Sequence, residues 1–105
     1  MTTPRWTDVA AEADLFEGAG IPVAPEGHDI ALFAIDGEVF ATDNLCTHGH
    51  AKLCDGFLEG HEIECPFHQG RFDVRSGAPT CAPATEAVKT WPVKVEGGRV
   101  YLDLG

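Results

Sequence analysis

The feature that most constrains this chain is a pair of short cysteine–histidine motifs separated by sixteen residues. The first motif is Cys46-Thr47-His48, and the second is Cys65-Pro66-Phe67-His68. Each motif offers one thiolate and one imidazole, and the four side chains together suit a soft or borderline metal centre. Any fold for this chain must therefore bring two separate loops to one site.

Two kinds of metal centre use this ligand set. One is a tetrahedral zinc ion, and the other is a 2Fe–2S cluster with two histidines on one iron and two cysteines on the other. Zinc sites usually pair like ligands, whereas here each motif contributes one of each kind. Two parallel loops of this type can place both sulfurs at one end of a site and both imidazoles at the other. The order favours the cluster, with zinc and a metal-free site as the alternatives.

Length and composition predict one domain spanning residues 1–105, in the cytoplasm and not in a membrane. No apolar run approaches the length of a membrane span. The first ten residues lack the basic and apolar regions of a secretory signal. A reducing compartment follows, in which the four cysteines are expected to be thiols; two disulfides in a secreted protein are the alternative.

The net charge of −10 is concentrated at the N-terminal end. Residues 1–45 hold nine acidic side chains and one basic side chain. Phosphate backbones repel such a chain, so nucleic acid is excluded as a partner. The acidity serves solubility, steering toward a basic partner surface, or both.

The pattern of apolar runs and turns predicts an all-β domain of short antiparallel strands. The run Ile30–Ile35 is continuously apolar, as expected for a buried strand, and Asp36-Gly37 after it is a strong hairpin signal. Residues 11–16 suggest a helical turn, and Ser76–Ala84 is predicted to be a loop. The predicted strands are Trp6–Ala10, Ile21–Ala24 at an edge, Ile30–Ile35, Glu38–Thr42, Gly56–Glu59, Glu62–Cys65, Gly70–Val74, Trp91–Glu96 and Arg99–Leu104.

The remaining reactive and large side chains have simpler expected roles. Cys54 and Cys81 match no ligand spacing and are expected to be small buried residues. Three histidines are expected near the surface, namely His28, His50 and His61. The predicted core includes Trp6, Phe33, Phe40, Trp91, Val93, Val95, Val100, Leu102 and Leu104.

The stretch CTHGHAKLCDGFLEGHEIECPFHQGRFD resembles the Rieske-type ferredoxins, in particular the ferredoxin components of naphthalene-dioxygenase-like systems. The resemblance extends over the whole chain. It implies one 2Fe–2S cluster held by Cys46, His48, Cys65 and His68. It also implies a cluster-binding subdomain at about residues 44–84, a base subdomain formed by the remaining strands, and a shielding third loop at Pro79–Pro83.

The same resemblance implies a function. Such a chain is a monomeric electron carrier and not an enzyme. It passes one electron at a time from an NAD(P)H-dependent flavin reductase to the terminal oxygenase of an aromatic-ring-hydroxylating dioxygenase. The alternatives are the small Rieske subunit of an assimilatory nitrite reductase and a structural zinc module that mediates protein contacts.

Four positions distinguish this chain from the high-potential respiratory branch of the family that it resembles. Ala51 and Phe67 stand where those proteins have a bridging pair of cysteines. Gly70 and Phe72 stand where they have hydroxyl groups that donate hydrogen bonds to the cluster. Fewer donors stabilise the reduced state less, so a potential at the lower end of the Rieske range is expected.

Overall fold

The computed structural model describes residues 5–47, 51–66, 70–82, 84 and 86–105. Within these ranges, short antiparallel strands are joined by turns, which confirms the predicted all-β class. A single 3₁₀ turn at Glu12–Asp14 occupies the segment predicted as a helical turn. The strands are β1 (Trp6–Ala11), β2 (Gly20–Val23), β3 (Ile30–Ile35), β4 (Glu38–Asp43), β5 (Phe57–Glu59), β6 (Glu62–Glu64), β7 (Arg71–Asp73), β8 (Pro79–Cys81), β9 (Thr90–Trp91), β10 (Val93–Glu96) and β11 (Arg99–Asp103).

In the described part of the chain, these strands form three sheets. Their orders are β1-β11-β10, β2-β3-β4-β9 and β5-β6-β7-β8. The first two sheets combine strands from the N- and C-terminal parts of the chain. The third is built only from strands within residues 57–81, a range that contains the second cysteine–histidine motif. Strand β2 lies at an edge, as predicted, where Pro22 removes no essential ladder donor.

Strand β3 lies between two hydrophobic cores, which explains its unbroken apolar sequence. Ile30 and Leu32 point into a core shared with Trp91, Val100 and Leu102. The alternate residues Ala31, Phe33 and Ile35 point into a second core, which also contains Cys46 and Cys65. Successive side chains of a strand face opposite sides, so a strand buried on both faces needs no polar alternation.

The hairpin β3–β4 brings the chain to the first motif. Asp36 and Gly37 have φ angles of 51° and 80°, the left-handed values that a tight two-residue hairpin requires. The register runs from the pair Ile35–Glu38 to the pair Ile30–Asp43. Strand β4 then ends three residues before Cys46, so the predicted hairpin is confirmed and leads directly to the first motif.

Two predicted elements need correction. The predicted loop Ser76–Ala84 contains strand β8, in which Pro79 pairs with Phe72 at the sheet edge. A proline is tolerated there because an edge strand can leave one side unpaired. The predicted strand Trp91–Glu96 is divided at Pro92: β9 pairs with β4, whereas β10 pairs with β11 in another sheet.

Burial also differs from the prediction at three positions. Trp6 is 36% exposed and Val95 is 39% exposed, because both lie on strands at the two edges of the first sheet. Cys81 is exposed on the edge strand β8, not buried. The other predicted core residues are buried or pack partly buried against the two cores. Among the described residues, no helix is long and apolar enough to cross a membrane.

Candidate metal centre

Each of the two motif loops is closed by a backbone hydrogen bond, and the two bonds have equivalent positions. The N–H of Cys46 donates to the carbonyl of Ala51 at 3.0 Å, and the N–H of Cys65 donates to the carbonyl of Gly70 at 2.7 Å. In both loops the acceptor lies five residues after the cysteine. The two cysteines therefore occupy equivalent positions, each at the start of a closed loop that contains its histidine.

The equivalence extends one residue further out on each side. Leu45 and Lys52 form an isolated antiparallel bridge, and Glu64 and Arg71 are paired in the β6–β7 ladder. Each pair joins the residue before the cysteine to the residue six after it. The second pair is also an ion pair, with 3.1 Å between the Arg71 guanidinium and the Glu64 carboxylate. Hydrogen bonding to Glu64 is the main reason that the pKa of Arg71 is raised.

Both cysteine side chains are withdrawn from water. Cys46 is 3% exposed and Cys65 is 1% exposed, and both belong to one buried cluster with Leu53, Phe72 and Ala84. Two buried thiol groups on equivalent loops fit the sulfur end of a two-iron cluster, which needs thiolate ligands in a shielded site.

The predicted imidazole ligands, His48 and His68, lie outside the described residues, as does His50. Within the described ranges, no group of three or more histidine, cysteine, aspartate or glutamate side chains is arranged to hold a metal ion. The structure thus describes the positions of two of the four predicted ligands, and all four stay predictions as ligands.

A third segment contacts both motif loops. The hydroxyl of Thr47, in the first loop, donates to the carbonyl of Glu86 at 3.0 Å. A Cβ atom added to Gly70, at the end of the second loop, would lie 3.1 Å from both the nitrogen and the Cβ of Ala84. Glu86 therefore contacts the first loop and Ala84 the second. This contact falls just after the predicted third loop Pro79–Pro83, of which Pro83 lies outside the described residues.

The other two cysteines are not equivalent to the pair in the loops. The Cys54 sulfur accepts a hydrogen bond from the side-chain amide of Asn44 at 3.3 Å, and burial raises the pKa of its thiol. Cys81 is exposed on β8. Neither cysteine begins a loop that is closed by the kind of backbone hydrogen bond found at Cys46 and Cys65.

Sequence reasoning missed Asn44, a 2%-exposed polar residue two positions before Cys46. Its side chain bonds Asp29 as well as Cys54. The Asp29 carboxylate in turn pairs with Lys52, and the hydrogen bonds from Lys52 and Asn44 lower the pKa of Asp29. The available signal was the amide itself, since an asparagine beside a metal-binding motif at the end of an apolar strand needs buried partners.

Two other histidines lie on aromatic rings away from the loops. His28 is exposed and meets Trp91 edge-on, with 4.9 Å between ring centroids. His61 is half-buried and meets Phe40 edge-on at 5.8 Å. The predicted surface position is confirmed for His28 and only partly for His61.

Comparison with known proteins gives consistent matches over nearly the whole chain. The model of the Rieske [2Fe-2S] domain matches residues 5–92. The ferredoxin component of the naphthalene 1,2-dioxygenase system of Pseudomonas aeruginosa is 56% identical over 102 residues, which cover 97% of this chain and 98% of that protein.

Solved structures agree with the sequence matches. The ferredoxin of Sphingomonas yanoikuyae B1 superimposes with a TM-score of 0.91 at 42% identity, covering 96% of this chain and all of that one. A chain from the complex of reduced oxygenase and oxidized ferredoxin in carbazole 1,9a-dioxygenase superimposes with a TM-score of 0.88 at 36% identity, covering 96% of this chain and 94% of that one.

Proposed function

Because the chain belongs to the Rieske [2Fe–2S] family, we propose that it is a one-electron carrier of an aromatic-ring-hydroxylating dioxygenase system. In this role it accepts electrons from an NAD(P)H-dependent flavin reductase and delivers them to a terminal oxygenase. The observation that carries the proposal is the 56% identity to a dioxygenase ferredoxin component, which extends over 98% of that protein. The family also favours the cluster over the zinc alternative.

The proposed ligands of the cluster are Cys46, His48, Cys65 and His68. Support comes from the equivalent loops that begin at the two cysteines and from the burial of both side chains. When bound, the cluster supplies a site that gains one electron and one negative charge on reduction. The buried side chains of Leu53, Phe72 and Ala84 exclude water from that site, and backbone hydrogen bonds fix the ends of the two loops.

The proposed division into a cluster-binding part and a base follows the sheets. Residues 44–84 contain both motifs and the sheet β5-β6-β7-β8, while the other two sheets form the base. Strand β3 contributes one face to each core and so packs against both parts. Such packing limits movement of the protein around the site, which suits electron transfer.

The residues on either side of Cys46 are accessible to a partner although Cys46 is not. Leu45 is 48% exposed and Thr47 is exposed, on either side of the buried cysteine. A partner that contacts this edge would approach the site without opening the buried cluster of side chains. We propose that the carrier acts as a monomer in the cytoplasm, where NAD(P)H and reduced flavin are available.

Reconstitution of the electron chain tests this function. The purified protein is combined with a dioxygenase-type flavin reductase, NADH and a naphthalene-dioxygenase-type terminal oxygenase, and hydroxylated product is measured. Product formation is expected to depend on this chain and to fail when its Cys65→Ser variant replaces it. Transfer of electrons to an assimilatory nitrite reductase but not to the oxygenase would instead support the nitrite reductase alternative.

A further inference from the structure

We infer that Asn44 is a positioning residue for the cluster, because its side chain joins the two ends of the first motif loop and sets that loop against the second. We call its contacts with Asp29 and Cys54 the Asn44 clasp. The inference rests on the proposed ligand set, in which Cys46 and Cys65 both bind the cluster. It concerns how the chain fixes the positions of those two sulfur atoms relative to each other.

Asn44 uses its side chain and its backbone on opposite sides of the loop. Its side-chain carbonyl accepts from the N–H of Cys54 at 2.8 Å, and its amide donates to the Asp29 carboxylate at 3.0 Å and to the Cys54 sulfur at 3.3 Å. Its backbone N–H donates to the carbonyl of Asp29 at 2.9 Å, and its backbone carbonyl accepts from Leu53 at 2.6 Å. Every hydrogen-bonding group of this buried residue is therefore engaged across the loop or with Asp29.

The second loop shows why the first needs such a residue. The position equivalent to Asn44, two residues before the cysteine, is Ile63, and the one equivalent to Leu53 is Phe72. Ile63 and Phe72 are paired within the continuous β6–β7 ladder and are both buried. The first loop is held instead by the isolated bridge Leu45–Lys52, outside any named strand. Hydrogen bonds from the side chain of Asn44 reinforce the backbone bond between Leu53 and Asn44 at this position.

The clasp also reaches the second loop through the 3₁₀ turn Leu53–Asp55. The Cα of Gly56, at the end of that turn, lies so close to the carbonyl of Glu64 that an added Cβ would stand 2.1 Å from its oxygen. Glu64 directly precedes Cys65. The turn therefore has Asn44 on one side and the residue before the second cysteine on the other. Moving the turn would change the separation of the two loops.

Asp29 anchors the clasp to the base of the molecule. Asp29 directly precedes strand β3, whose residues are buried between the two cores. Its carboxylate accepts from Asn44 and pairs with Lys52. Residues 44 and 52, on the two sides of the first loop, are thus both bonded to Asp29, and Cys54 is linked to Asp29 through Asn44.

The test compares the Asn44→Ala variant with the wild-type protein carrying its cluster. We expect iron to be lost to a chelator at least about tenfold faster, since buried hydrogen-bonding groups lose their partners. We also expect a shifted electron paramagnetic resonance spectrum of the reduced protein, because the sulfur positions change. The Asn44→Asp variant keeps the acceptor for Cys54 but sets a second carboxylate against Asp29, so it too should lose iron faster than the wild-type protein.

Two controls separate positioning from general stability. Cys81→Ala removes an exposed thiol outside the clasp, so its iron-loss rate should stay within about twofold of wild type. Val100→Ala truncates a buried residue of the other core, and it should lower the unfolding temperature without shifting the spectrum. If Asn44→Ala holds no iron, the comparison is made with Asn44→Asp.

A wild-type spectrum and iron-loss rate in both Asn44 variants would overturn the clasp, as would a Val100→Ala variant that reproduces both changes. Loss of colour in Cys81→Ala would instead overturn the proposed ligand set, and the clasp with it.

Discussion

Gly70 lies directly against Ala84, so that a Cβ atom at position 70 would stand 3.1 Å from both the nitrogen and the Cβ of Ala84. This contact joins the end of the second motif loop to the segment that covers it. A real Cβ at that distance forces one of the two segments to shift, and the Cys65 loop closes on the carbonyl of Gly70 itself. The close approach of the two segments therefore favours glycine at position 70.

We expect Gly70→Ala to destabilise the protein by about 1–3 kcal/mol, the usual cost of overpacking. Chemical denaturation of the cluster-loaded protein measures the change. Adding Ala84→Gly removes the Cβ–Cβ contact and should recover part of the loss. Equal stabilities for the single and double variants would show that crowding against Ala84 is not the cause.

The assignment of sulfur ligands predicts a division among the four cysteines. Cys46→Ser or Cys65→Ser should abolish the visible absorption, because these two cysteines begin the equivalent loops. Cys54→Ser and Cys81→Ser should leave it nearly intact, since one thiol accepts from Asn44 and the other is exposed. Visible spectra at matched protein concentration measure the outcome, and bleaching by the Cys54 change would refute the assignment.

Much of this fold follows from local sequence patterns. The apolar run of β3 predicts a strand buried on both faces, and Asp36-Gly37 predicts its hairpin, because both signals depend on neighbouring residues. Strand β8 is not predicted because Pro79 argues against a strand except at an edge. The break at Pro92 is not predicted because the alternation of inward and outward side chains continues through it.

Local sequence patterns predict less of the site than of the fold. The cysteine–histidine spacing identifies the ligand types, but the equivalence of the loops lies in backbone hydrogen bonds that any residue type can make. The partners of Asn44 are Asp29 and Cys54, 15 and 10 residues away along the chain. Such a contact becomes visible only when the strands are assembled.

Electron transfer to the partner is expected to slow as ionic strength rises. The N-terminal acidity motivates this prediction, although three of those carboxylates are paired, in Asp8–Arg99, Glu26–Arg5 and Asp29–Lys52. The remaining exposed charges act over about 10 Å at 0.1 M salt and about 3 Å at 1 M. Stopped-flow rates should fall roughly tenfold over such a series.

Reduction by a small neutral donor serves as the control for this series and should change little with salt. A flat rate with the protein partner would show that the acidity serves solubility alone.

The second prediction about the cluster concerns its reduction potential. We expect a midpoint on the order of −150 mV, at the lower end of the Rieske range, because positions 70 and 72 offer no hydroxyl donor. Phe72 is fully buried in the same cluster of side chains as Cys46 and Cys65. Phe72→Tyr should therefore raise the potential by about 60 mV if its hydroxyl favours the reduced state tenfold. A redox titration of both proteins measures the midpoints, and a wild-type value well above zero would contradict this expectation.

The most direct test of the central claim is a joint measurement of metal content and electron uptake on the purified protein. Iron, zinc and acid-labile sulfide are determined on the sample that is then reduced coulometrically. We predict two iron and two sulfide per chain, as the family requires, and uptake of a single electron. A colourless protein with stoichiometric zinc and no electron uptake would contradict the account.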